Sequence, residues 1–201
     1  VDVWAVNRLN KNHGFNIKIK IEDKEIEEAE LLNSVETLSN PNTICPSEKT
    51  VVFNIKKNQF LGNILNDIVS EFAYERITLI EAGPGLGKTE MVKQIVKGNK
   101  KVMLIMPFTS TIKSKVEKEK GWCYSYGSKM PNLDVEKGLA LTLDKFSKLN
   151  MMDIKTHGFD YIFLDESHLL FMSEYRSIMA RVVDMVKNTE VPVIKMSGTP
   201  T

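Results

Sequence analysis

Two stretches of this sequence hold residue types that do chemistry: EAGPGLGKTE at 81–90 and YIFLDESHLLF at 161–171. In the first, Gly83, Pro84, Gly85, Leu86 and Gly87 lead into Lys88, Thr89 and Glu90. Closely spaced glycines let a backbone wrap tightly and turn its N–H groups inward, which suits a phosphate cradle. A helix starting there would add the partial positive charge of its N-terminus. Lys88 can reach β- and γ-phosphates as a point charge, and the Thr89 hydroxyl suits a Mg²⁺ ion. The pattern matches G-x-x-x-x-G-K-[ST] except that Ala82 stands where the first glycine would be. The plain alternative is a glycine-rich turn with an incidental lysine. An apolar run before the turn, an amphipathic run after it and an intact Gly-Lys-Thr argue against that alternative.

In the second stretch an apolar run arrives at Asp165, Glu166, Ser167 and His168. A metal-bound triphosphate needs one carboxylate for the cation and a second base to orient the attacking water. Asp165, at the end of a buried strand, fits the first role, and Glu166 fits the second as the chain leaves the sheet. An exposed polar strand end would carry the same letters. His168 can equally be a helix-entry histidine satisfied by nearby backbone, or a residue coupling the site to a moving element.

The elements that must position these residues are legible as apolar runs. ITLIEA (77–82), VMLIMPF (102–108), LALTL (139–143), YIFLD (161–165) and VPVIKMS (191–197) are continuously apolar, as strands buried on both faces are. VVFNI (51–55) predicts a further short strand, and FNIKIKIE (15–22) alternates as a half-buried strand does. Helices are predicted from Phe60 to Phe72, where Phe60, Leu61, Ile64, Leu65, Ile68, Val69 and Phe72 form one face, and over 88–97 and 173–188. In the last, Ile178, Met179, Val182, Val183 and Val186 share one side. Residues 22–39 carry apolar positions near helical spacing. Strand alternates with helix, so the fold class is α/β with a mainly parallel sheet, and ligands should gather at the carboxyl ends of its strands. The turn-rich SNPNTICPSEKT (39–50) predicts a boundary between residues 1–50, a small α+β appendage or the tail of a preceding domain, and a main domain at 51–201.

With 42% hydrophobic and 26% charged residues the chain is globular in composition, and a net charge of +1 provides no global field for nucleic acid or membrane. Cys45 and Cys123 stand alone, without metal-ligand spacing, as in a reduced intracellular compartment. No apolar run approaches the roughly 18–20 residues of a membrane span. The chain begins at Val1 without a Met and stops at KMSGTPT, just after a strand-like run, so a piece of a larger protein is expected.

AGPGLGKT, DESH and SGT (197–199), in that order, resemble the first motor domain of a DEAD/DEAH-like superfamily 2 helicase. IMPFTST (105–111) and LTLDKF (141–146) are similar to the segments that contact nucleic acid in that family. The resemblance covers residues 51–201. It implies a RecA-like P-loop NTPase domain whose third-motif strand lies between the two nucleotide-motif strands. It implies ATP and Mg²⁺ as cofactors and Lys88, Asp165 and Glu166 as catalytic residues. Gly83 to Glu90 would surround the nucleotide, with Thr89 and Asp165 at the metal. His168, Ser197 and Thr199 would couple hydrolysis to motion. Thr109, Ser110 and Thr142 would meet a DNA or RNA backbone without reading sequence, although ordinary loop capping explains these hydroxyls too. Gln59 sits where some relatives contact adenine, or is a plain surface glutamine. Such motors take arginines from a second RecA-like domain in cis, worth roughly 10³–10⁵ in rate, so this stretch alone should turn over slowly. The lysine-rich KGNKK (97–101) and KSKVEKEK (113–120) read as solvated faces.

Two other functions fit the letters. A viral DNA-packaging ATPase of the terminase kind also places Asp-Glu and then a Thr-Pro segment after the cradle; His168 favours the helicase. A nucleotide-responsive clamp would bind nucleic acid without turnover, and would not need Glu166.

Overall fold

In the computed structural model, residues 17–23, 49–55, 59–72, 77–167 and 176–198 are described. They form an α/β fold around one sheet. Its strands are β1 (Ile17–Asp23), β2 (Lys49–Ile55), β3 (Ile77–Ala82), β4 (Val102–Met106), β5 (Trp122–Ser125), β6 (Gly138–Thr142), β7 (Tyr161–Leu164) and β8 (Val193–Ser197). The helices are α1 (Leu65–Phe72), α2 (Lys88–Lys97), α3 (Thr109–Lys115), α4 (Leu143–Ser147), α5 (Met151–Thr156) and α6 (Arg176–Asn188). The order across the sheet is β2-β1-β3-β8-β7-β4-β6-β5, and every pairing is parallel. Because β8 lies between β3 and β7, the strand before SGT separates the strand before the glycine-rich turn from the strand before DESH.

The apolar runs are continuous because successive side chains enter two different cores. Ile80, Ala82, Leu104, Met106, Phe163, Ile194 and Met196 pack on one face against α1, α2 and α3, through Ile68, Phe72, Met91, Val92, Ile95 and Ile112. Ile77, Leu79, Met103, Ile105, Ile162, Leu164 and Val193 pack on the other face against α4, α5 and α6, through Phe146, Ile154, Val182, Met185 and Val186. A strand buried on both sides has no polar positions to alternate with. At the centre of the first core, Phe163 is fully buried and meets Phe72 edge-on at 6.0 Å between ring centroids. Phe163→Ala should therefore cost about 3–5 kcal/mol, since a large ring leaves a cavity its neighbours fill only in part. Urea unfolding followed by circular dichroism would read this loss.

Three features differ from the expectation. The helix predicted from Phe60 begins as a 3₁₀ turn at Leu61–Ile64 before α1, and Phe60 precedes it, 54% exposed. The apolar face is formed by Leu61, Ile68 and Phe72, all buried. Strand β5 carries no apolar run: it is an edge strand, with Cys123 and Tyr124 exposed. Finally, β1 does not stand apart in an appendage. Its Ile19 and Ile21 are buried and it is paired on both sides, to β2 and β3, so this part of residues 1–50 belongs to the main sheet. The helical pattern at 22–39, the boundary at 39–48 and Cys45 lie outside the described residues, apart from the end of β1.

Candidate functional site

The glycine-rich turn runs from the end of β3 into α2, as the sequence requires. Gly85 and Gly87 both have φ near +83°, the left-handed region that side-chain-bearing residues avoid, and Gly87 is the residue that starts α2. A bond from Leu61 N–H to the Leu86 carbonyl, 3.0 Å, ties the turn to the 3₁₀ segment. Lys88 opens α2 and is buried. Its Nζ donates to the carbonyls of Ala82 (2.8 Å) and Gly83 (3.2 Å), so the ammonium lies along the floor of the turn. Burial lowers the Lys88 pKa, and the nearby Glu166 and Asp165 carboxylates oppose that shift.

Asp165 follows β7 directly. Its N–H donates to the Ile105 carbonyl at 2.9 Å, extending the β7–β4 pairing by one residue. The side chain is only 2% exposed. Oδ1 accepts from the Glu166 N–H at 3.1 Å, while the buried Oδ2 has no hydrogen-bond partner among the described residues. Burial raises the Asp165 pKa, with Lys115 the largest influence in the opposite direction. Glu166 has φ +49°, a left-handed conformation that costs a non-glycine residue about 1–3 kcal/mol. This turn swings the second carboxylate out of the strand line. Gly198, just beyond β8, is where the carboxylate and the lysine meet. A Cβ built there would lie 3.3 Å from Lys88 Nζ and 3.7 Å from Glu166 Oε2. Glycine keeps that gap open.

Lys88, Thr89, Asp165 and Glu166 therefore converge at the carboxyl ends of three neighbouring strands, where such sheets bind ligands. The donor set fits a phosphate-bound divalent cation. A buried carboxylate oxygen has no hydrogen-bond partner among the described residues, and the Thr89 hydroxyl shares a lysine with that carboxylate. Among the described residues no three His, Cys, Asp or Glu side chains cluster as a protein metal cage would.

One cleft borders the turn and another borders the carboxylates. One is lined by Phe60, Gly62, Asn63, Gly85, Gly87 and Gln94 among others, and the exposed Phe60 ring lies within reach of Gly87. The other, of about 440 Å³, includes Ser110, Ser114, Lys115, Asp165 and Glu166 in its lining. Of the three hydroxyls expected at nucleic acid, Ser110 alone lines this cleft. Thr109 is the half-buried first residue of α3, and Thr142 precedes α4 without capping it through its side chain. Ser197 is fully buried at the end of β8. His168 and Thr199 lie outside the described residues. Gln59 is half-buried beside Phe60.

Phe60 and Lys115 are not legible in the sequence as site residues. Phe60 reads as one more apolar helix position, although its place directly after Gln59 is a signal once the fold is known. Lys115 is one lysine in a lysine-rich run. The rest of the two runs fits a solvated surface, with Lys97, Lys113, Lys118 and Lys120 exposed. Neither a known protein-family model nor a curated protein sequence matches the chain. Among the described residues no helix is long and apolar enough to cross a membrane.

Proposed function

We propose that this chain is the ATP-binding motor domain of a superfamily 2 helicase or translocase, a RecA-like P-loop NTPase that couples hydrolysis to movement on nucleic acid. The observation that carries this reading is the convergence of Lys88 and Thr89 with the adjacent carboxylates Asp165 and Glu166, one buried on the strand line and one turned out of it. Adjacent carboxylates so differently placed suit different tasks. Asp165, with Thr89, would hold Mg²⁺, which when bound offsets the charge of the phosphates.

Lys88 then exchanges its carbonyl partners for phosphate oxygens, and the N–H groups of the 83–89 turn bind the remaining oxygens. Glu166 accepts the proton of the attacking water at its carboxylate. The open space at Gly198 lets the lysine and Glu166 approach the same phosphate without a side chain between them. The exposed Phe60 ring and Gln94 offer an apolar face and an amide beside the turn, suited to a base. Ser110 places a hydroxyl in the same cleft as the carboxylates, a short route from a nucleic-acid backbone to the hydrolytic centre. A second RecA-like domain in cis would supply the arginines this site needs for fast turnover.

A fluorescent ATP analogue should bind in the presence of Mg²⁺ and be displaced by ATP. Phosphate release should be slow for this chain alone, and should rise with a second motor domain in cis and again with single-stranded DNA or RNA. Binding without turnover under all these conditions would leave the clamp; failure to bind at all would remove both.

A further inference from the structure

Lys115 ends α3, and its ammonium reaches between the two residues assigned to the cation. Nζ donates to Thr89 Oγ1 at 3.2 Å and stands 3.8 Å from Asp165 Oδ2, the buried oxygen with no hydrogen-bond partner among the described residues. These are the two protein oxygens a divalent cation would need. We propose that Lys115 is a built-in counter-ion of the metal site, standing where the cation would be held and leaving when the cation arrives. The inference rests on the proposed nucleotide site and names how that site is regulated.

Three observations support it. Asp165 is almost wholly buried, and a buried carboxylate needs a positive neighbour or loses its charge. Lys88 is not that neighbour in hydrogen-bond terms, since its Nζ is bonded to Ala82 and Gly83 carbonyls. Lys115 is also able to leave. Its side chain is 44% exposed, on the rim of an open cleft, so withdrawing the ammonium into water disturbs no core packing. An ammonium and a divalent cation cannot both sit against one hydroxyl and one carboxylate without strong like-charge repulsion.

Helix α3 is itself anchored in the core by Ile112 and by Val116 just past its end, both buried, so release of Lys115 moves a side chain and leaves the helix in place.

The test is Mn²⁺ titrated into protein saturated with ADP, with free Mn²⁺ read by electron paramagnetic resonance. Lys115→Met removes the charge and keeps the length, and should tighten Mn²⁺ binding by about 5- to 150-fold, the size of a typical coupling free energy between two binding events. Lys115→Arg keeps the charge and should stay near wild type. Lys115→Gln replaces the Met variant should that one not fold. Mn²⁺ binding in Lys115→Met alone, absent from wild type, would also support the counter-ion. Equal or weaker binding by Lys115→Met than by wild type, or equal tightening by Arg and Met, overturns the counter-ion and leaves the nucleotide site standing. No binding by any of the proteins overturns both.

Discussion

Glu166→Gln should leave ATP bound and bring its hydrolysis nearly to a halt. The amide is close in size and shape to the carboxylate but cannot take a proton from water. General-base assistance is worth roughly 10²–10⁴ in rate, which sets the expected loss. Binding should be spared because the groups proposed to grip phosphate are elsewhere, on Lys88 and on the turn from Gly83 to Thr89. The left-handed backbone at 166 tolerates glutamine as it tolerates glutamate, so the fold should not change. Single-turnover phosphate release, with nucleotide affinity measured on the same sample, separates the two effects. A variant that retains wild-type turnover would show that Glu166 is not the base.

The opposite split is expected of Lys88→Met. Here binding should fail first. A charge-assisted hydrogen bond contributes about 1.5–3 kcal/mol, so removing one such bond to phosphate should weaken nucleotide binding by roughly 10- to 150-fold. Stability should fall by about 1–3 kcal/mol at most, because the buried Ala82 carbonyl loses its donor while the cost of desolvating the ammonium is relieved. The wild-type ammonium is desolvated, which depresses its pKa, and its partners are main-chain carbonyls along the floor of the turn. Methionine keeps most of the volume and has no charge to desolvate. Equilibrium binding of a fluorescent ATP analogue and thermal unfolding, measured side by side, would read this pair of outcomes. Unchanged affinity would mean that Lys88 serves the turn and not a ligand.

Much of this arrangement can be read from the letters, and the reasons are physical. The central strands announce themselves because both faces are buried, which leaves unbroken apolar runs such as ITLIEA and YIFLD. The turn at 83–89 announces itself because φ near +83° at two positions calls for glycine. Strand β5 is silent, since an exposed edge strand of Trp-Cys-Tyr-Ser has neither period nor apolar run. Phe60 misleads because a hydrophobic residue in register with a helix reads as core, while the helix begins later as a 3₁₀ turn. Lys115 is silent for a different reason. Its role depends on where the end of α3 falls relative to β7, a tertiary fact that no local pattern encodes.

The pairing of β1 decides where this protein can be trimmed. Strand β2 touches the sheet through β1, and β1 in turn covers the outer edge of β3. Cutting the chain at the apparent boundary near residue 50 would cast off β1 and strand β2 without a neighbour. It would also bare the hydrogen-bonding edge of the strand that leads into the glycine-rich turn. An uncovered edge is a template for self-association. Strand β1 is thus less part of a separable leader than a guard rail for one of the three strands that carry the site.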